Sequence, residues 1–95
     1  MPKGYVISRV DIRDPEAYAV YRDLATAAIA KHGGRALARG GRHEALEGTA
    51  RARNVVLEFD SYEAARAYFY SSEYQAARSK RLGAAEIDMV LVEGA

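Results

Sequence analysis

The feature that most constrains this chain is a set of strand-like runs that are apolar on both faces. In Tyr5 to Ile12 (YVISRVDI), Val6 and Val10 point one way while Tyr5 and Ile7 point the other. In Asn54 to Phe59 (NVVLEF), Val55, Leu57 and Phe59 oppose Val56. In Ile87 to Val92 (IDMVLV), Ile87, Met89 and Leu91 oppose Val90 and Val92. A strand with one wet face alternates apolar and polar residues, so these runs demand cover on both sides.

Between the strands lie two helical stretches with their own start signals. Asp14-Pro15-Glu16 offers a capping carboxylate, a proline with helical φ and an acid at the positive helix end. Tyr21, Leu24, Ala25, Ala28, Ile29 and His32 then recur at helical spacing up to Gly33-Gly34, which predicts a helix of about fifteen to eighteen residues. Asp60 and Glu63 are spaced as a capping box, and Ser72 and Gln75 repeat that spacing, so the second helix is expected to break and restart near Ser71-Ser72. Arg35 to Arg39 (RALAR) reads as a short strand closed by Gly40-Gly41. The stretch from Arg42 to Arg53 is either a loop or a ribbon in which Glu44 to Glu47 extends that strand.

The order strand, helix, strand, strand, helix, strand describes one α+β domain over residues 1–95. It is the ferredoxin-like βαββαβ sandwich, with a four-stranded antiparallel sheet and both helices on one face. Two helices leave the other face bare, and a chain of 95 residues has a limited core. Each branched side chain on that face gains about 1.5–3 kcal/mol on burial. A homodimer packed sheet on sheet is the simplest closed solution. The competing reading is that a loop or the tail covers the face, but only Glu93-Gly94-Ala95 follows the last strand.

Composition narrows the partners. With 14 basic and 13 acidic residues the net charge is +1, which gives no electrostatic reason for nucleic acid or a membrane surface. The aromatic pattern of an RNA-binding sheet is absent. There is no cysteine, which excludes disulfides and thiolate chemistry. The chain has no apolar run long enough to span a bilayer and no leader pattern, so a cytoplasmic protein is expected. No His, Asp or Glu set has metal-ligand spacing, and no metal or tightly bound cofactor is expected.

Several blocks together resemble the domain of unknown function 1330 family. They are Asp14-Pro15-Glu16-Ala17-Tyr18 followed by Tyr21, Gly33-Gly34, Arg39-Gly40-Gly41, Leu46-Glu47-Gly48, Glu58-Phe59, Ser72-Glu73-Tyr74 and the Val90-to-Gly94 ending. They run in order over essentially the whole chain. The resemblance implies a dimeric α+β barrel, an architecture also used by cofactor-independent monooxygenases, muconolactone isomerases and haem enzymes. It implies no established activity, because fold does not carry function.

Few residues are candidates for chemistry. His32, at the end of the first helix, is either a general base or ligand in a helix–sheet pocket or a cation at the last carbonyls. Glu58 and Arg9 sit mid-strand, where a charge must be paired or wet. They form either an ion pair, within the chain or across a dimer, or a polar pocket with Glu58 as acid or base. Arg39 beside two glycines suits a carboxylate held by two parallel hydrogen bonds, or merely marks a turn or bulge. Arg42, Arg51 and Arg53 could extend an anion-binding rim, and His43 among them is expected to be solvated. Of seven tyrosines, Tyr68 is the expected pocket wall, since it shares a helix side with Ala65 and Phe69. The expected function is therefore binding or transforming a small organic acid or aromatic molecule, with a non-catalytic dimeric binding module as the alternative.

Overall fold

A computed structural model describes residues 2–95. It contains β1 (Gly4–Ile12), α1 (Pro15–Lys31), β2 (Arg35–Arg39), β3 (Arg53–Phe59), α2 (Tyr62–Tyr70), α3 (Ser72–Arg81) and β4 (Ala85–Glu93). The sheet order is β2-β3-β1-β4 and every neighbouring pair is antiparallel. This is the ferredoxin-like βαββαβ fold, with the second helix in two pieces. Residues 40–52 form no strand, so Glu44 to Glu47 does not extend β2. None of the helices is long and apolar enough to cross a membrane.

The helix ends follow local chemistry, with two corrections of one residue. Asp14 caps α1 by accepting from the Ala17 N–H at 3.2 Å, and Pro15 opens the helix as expected. The cap of α2 is Ser61 rather than Asp60: its extended backbone (φ −153°, ψ 166°) lets Oγ accept from the Ala64 N–H at 3.0 Å. Asp60 instead lies 3.5 Å from the Lys3 ammonium. The cap of α3 is Ser71 rather than Ser72. Ser71 Oγ accepts from the Tyr74 N–H at 3.1 Å and donates to the Tyr68 carbonyl at 2.7 Å, so one hydroxyl ends α2 and starts α3. Gln75 secures the same corner by donating to the Phe69 carbonyl at 2.7 Å.

The two helical layers sit at different heights above the sheet. α2 lies close, because Gly4 leaves its only room to the Ser61 carbonyl and Ala65 is fully buried. α1 packs chiefly against α3 and stands off the sheet on the rings of Tyr18 and Tyr21. Leu24, expected on the core side of α1, is instead exposed, and the buried side is formed by Tyr18, Tyr21, Ala25 and Ala28. The core lies between the helices and one sheet face, formed by Val6, Val10, Val55, Leu57 and Phe59 from the sheet with Tyr68, Tyr74 and Ala77 from the helices.

The opposite sheet face carries Tyr5, Ile7, Val56, Val90 and Val92 in adjoining register, and Val90 and Val92 are 55% and 41% exposed. One end of that face meets the returning loop. Arg9 donates to the Thr49 carbonyl at 2.6 Å, and Arg51 is held by Asp11, Asp88 and Glu86 at 2.8, 2.9 and 3.2 Å. An Arg9–Glu58 pair within the chain is not formed. Arg9 lies opposite Asn54 and Asp88, whereas Glu58 lies opposite Tyr5 and Arg35, too far along the strands.

Because Ser71 serves two helix ends at once, its replacement tests the corner directly. Ser71→Ala is expected to lower stability by about 1–2 kcal/mol, read from the midpoint of urea unfolding at unchanged slope.

Candidate functional site

The gap beneath α1 is a cleft. Its roof is Tyr18, Tyr21, Arg22 and Thr26 of α1, its floor Val6, Ser8 and Val55, and its side walls Arg39, Arg53 and Tyr68. The enclosed space is about 40 Å³, room for roughly three waters. Ser8 brings the one hydroxyl to the helix-facing side of β1, between Val6 and Val10, and is buried there.

Arg39 reaches the cleft because β2 is irregular. Ala36 pairs with Leu57, but Ala38 pairs with Val56 and Arg39 with Val55, so an extra residue is inserted between Ala36 and Ala38. Strand side chains alternate faces, so one inserted residue reverses the facing of everything beyond it. Unbulged, Arg39 would lie opposite Asn54 on the other face. With the bulge it lies opposite Val55, on the cleft side.

Arg53 reaches the same place by regular alternation, two residues before Val55 and opposite Val10. Its guanidinium lies 5.8 Å from the Tyr18 ring centre, a cation–π distance. It also packs on Gly40, whose φ of 72° and missing β-carbon let the guanidinium lie where any other residue would collide with it. Arg53 Nε is buried and has no hydrogen-bond partner. Arg22, Arg39 and Arg53 are in no ion pair among the described residues, and no Asp or Glu lines the cleft. The cleft is cationic and uncompensated.

Its aromatic wall is continuous. Tyr18 and Tyr21 lie 5.3 Å apart, and Tyr68 lies 4.9 Å from both Phe59 and Tyr74. The Tyr21 and Tyr74 hydroxyls are hydrogen-bonded at 2.9 Å. Burial pushes the Tyr21 and Tyr68 phenols well above their ordinary range. Both stay protonated at ordinary pH.

The four residues singled out in the sequence do not converge. Arg39 and Tyr68 share the cleft. His32 lies behind Tyr68, its ring centre 6.2 Å from the tyrosine ring and its Nε2 3.3 Å from Glu73. Glu58 is on the opposite sheet face, accepting from the Tyr5 hydroxyl at 2.9 Å and from Arg35 Nε at 2.7 Å. The Arg35 guanidinium, then the Tyr5 hydroxyl, holds the Glu58 carboxyl below its ordinary range. His43 is exposed, with Nδ1 3.4 Å from the Gly41 carbonyl. Among the described residues no group of His, Asp or Glu is arranged to hold a metal ion.

Of the three arginines read as a possible anion-binding rim, Arg53 lines the cleft beside Arg39, whereas Arg42 does not and Arg51 is held by Asp11, Glu86 and Asp88; Tyr18, Tyr21 and Ser8 were not singled out from the sequence. Strand parity was the available signal: residues 53, 55, 57 and 59 share one face, as do 6, 8 and 10.

The chain matches the model of a domain of unknown function, DUF1330, over residues 3–95. No curated protein matches it. Among solved structures it is similar to a protein of unknown function from Rhodopseudomonas palustris, at 19% identity and TM-score 0.75, covering 96% of this chain and 81% of that one. It is similar to SnoaB, a cofactor-independent oxygenase from Streptomyces nogalater, at 13% identity and TM-score 0.64, covering 97% and 92%. A dimeric ferredoxin-like protein of unknown function from Thermobifida fusca is 18% identical, with TM-score 0.55 and coverage of 99% and 91%. At these identities the likeness is one of fold.

The contact behind Tyr68 gives a pH prediction. Lys31 at 2.8 Å, then His32, holds the Glu73 carboxyl down at about 2, from an ordinary 4.5. A carboxyl depressed on folding contributes stability above its unfolded value, and that contribution is lost as pH falls. The α1–α3 contact should therefore weaken between pH 4.5 and about 2. Glu73→Gln should be less stable than wild type at pH 6, and the difference should shrink towards pH 2 in parallel thermal melts.

Proposed function

The chain belongs to the DUF1330 family, and from that premise we propose that it binds the carboxylate of a small organic acid beneath α1, as a homodimer closed through the bare face of its sheet. The observation that carries the ligand reading is three arginines converging on one small aromatic cleft with no carboxylate to neutralise them. A guanidinium fork matches a carboxylate with two parallel hydrogen bonds, and such charge-assisted bonds are the strong ones. The tyrosine rings and the apolar floor suit an aromatic or branched body behind that group.

Arg22 and Arg39 are exposed residues at the cleft. Their side chains can swing out to enlarge a space that otherwise holds only a few waters. The lining offers no imidazole and no carboxylate for proton transfer, and burial pushes the Tyr21 and Tyr68 phenols too high to serve as bases. Recognition without acid–base chemistry is thus the reading the geometry favours, with no tightly bound cofactor required. A transformation at this site would have to draw its reactive group from the ligand itself.

The dimer reading is supported by Tyr5, Ile7, Val56, Val90 and Val92, which adjoin on the bare face and leave Val90 and Val92 exposed, since contiguous exposed apolar side chains mark interaction surfaces. Glu58, tied to Arg35 and Tyr5, borders that patch. One of the structural neighbours is itself described as dimeric.

Two measurements test the two halves of the proposal. Benzoate should raise the melting temperature of wild type, and Arg53→Met and Arg39→Ala should each weaken benzoate binding about tenfold or more; equal shifts in both variants would remove the arginines from the site. Light scattering should give a dimer at micromolar concentration, and Val90→Lys should convert it to a folded monomer. A wild-type monomer of 10.4 kDa would sink the dimer.

A further inference from the structure

A buried polar chain runs from α3 to the cleft roof, and it is not used by the arginines described so far. Tyr74 is fully buried, and its hydroxyl has two partners: the Tyr21 hydroxyl at 2.9 Å and Nη2 of Arg81 at 3.4 Å. Arg81 is itself 8% exposed, is in no ion pair among the described residues, and has an unpartnered Nε. Its guanidinium carbon lies 5.3 Å from the centre of the Tyr21 ring. The helices thus bury a cation beside two phenols and supply no carboxylate.

Arginine has donors only, so Arg81 donates to the Tyr74 oxygen. Either phenol could donate in the bond between Tyr74 and Tyr21, and burial favours one direction. If Tyr21 donated, the proton left over would be that of the fully buried Tyr74, and an unpaired buried donor costs free energy. If Tyr74 donates, the proton left over is that of Tyr21, beside the cleft, where a ligand or water can accept it. On that ground Tyr21 is taken as the acceptor from Tyr74. Tyr21 lines the cleft. Burial keeps its phenol protonated at any ordinary pH.

We propose that Tyr21 donates this proton to the carboxylate held in the cleft, and that Tyr74 and Arg81 are positioning residues that orient the donor. The inference rests on the cleft reading above and adds to it a named contact. The chain starts at a buried cation and ends at a donor, so each bond polarises the next in the sense that favours a negative oxygen. The neighbouring Tyr18 ring links the two ends of the site, with Arg53 over Tyr18 and Arg81 over Tyr21. A site that spends a phenol proton in this way selects an oxygen acceptor and rejects an apolar isostere.

The experiment is a benzoate titration followed by NMR of protein labelled at the tyrosine ring carbons, with each variant first checked for its fold by circular dichroism. Tyr21→Phe keeps the ring and should weaken benzoate binding about tenfold. Tyr74→Phe should also weaken it several-fold, although Tyr74 does not touch the cleft. Arg81→Met should behave like Tyr74→Phe, whereas Arg81→Lys, donor-only as well, should restore most of the affinity. The Tyr21 ring-carbon signal next to oxygen should move on benzoate addition in wild type and stay still in Arg53→Met. If Tyr21→Phe and Tyr74→Phe bind benzoate as wild type does while Arg53→Met loses it, the hydrogen-bond chain is wrong and the cleft reading survives. If wild type fails to bind benzoate, or Arg53→Met binds it undiminished, both are overturned.

Discussion

The spacing of α1 above the sheet governs the rest of this molecule. Helices on a sheet normally settle until small and branched side chains interlock, and α2 does so, with Gly4 and Ala65 at its contact. α1 carries Tyr18 and Tyr21 at the same level. Those rings cannot sink between strands that already carry Val6, Val10, Val55 and Leu57. They lean instead on one another and on Tyr74, which in turn meets Tyr68. The cleft is the space this arrangement leaves, with each ring of its aromatic wall packed on another.

Charge is sorted by face with little mixing. On the bare face Arg35 meets Glu58 and Arg51 meets Asp11, Glu86 and Asp88, while Arg9 donates to the Thr49 carbonyl. On the helix-facing side Arg53 and Arg81 meet rings and a hydroxyl rather than a carboxylate. The net charge of +1 is a sum over the whole chain, so it could not reveal this local excess.

The architecture was legible because it rests on period and punctuation. Strands apolar on both faces, proline and capping residues, and paired glycines gave the element order, and the break in the second helix was visible from a repeated spacing. The caps slipped by one residue at Ser61 and Ser71 because two adjacent residues at each site offered an oxygen, and backbone geometry decided between them. The candidate cleft was half legible. Arg39 and Tyr68, two of the four candidates, share it. Glu58 and Arg9 were read as an ion pair, within the chain or across a dimer, or as a polar pocket, and register removes the pair within the chain by setting Glu58 opposite Tyr5. Tyr21 and Tyr74 are 53 positions apart, and nothing local announces that their hydroxyls meet.

The bulge in β2 has a consequence for how such a chain can diversify. β2 is an edge strand and all five of its residues are exposed, so gaining or losing one residue there disturbs little of the core. Leu37 is the surplus residue, so a strand without it would still set Arg39 opposite Val55, whereas a strand that kept Leu37 in regular pairing would set Arg39 opposite Asn54 on the other face. The bulge is slack in the chain: it takes up one extra residue at the sheet margin and leaves the guanidinium in its compartment. Siblings of this fold can therefore differ by a residue in this strand and keep the same side chain in the cleft.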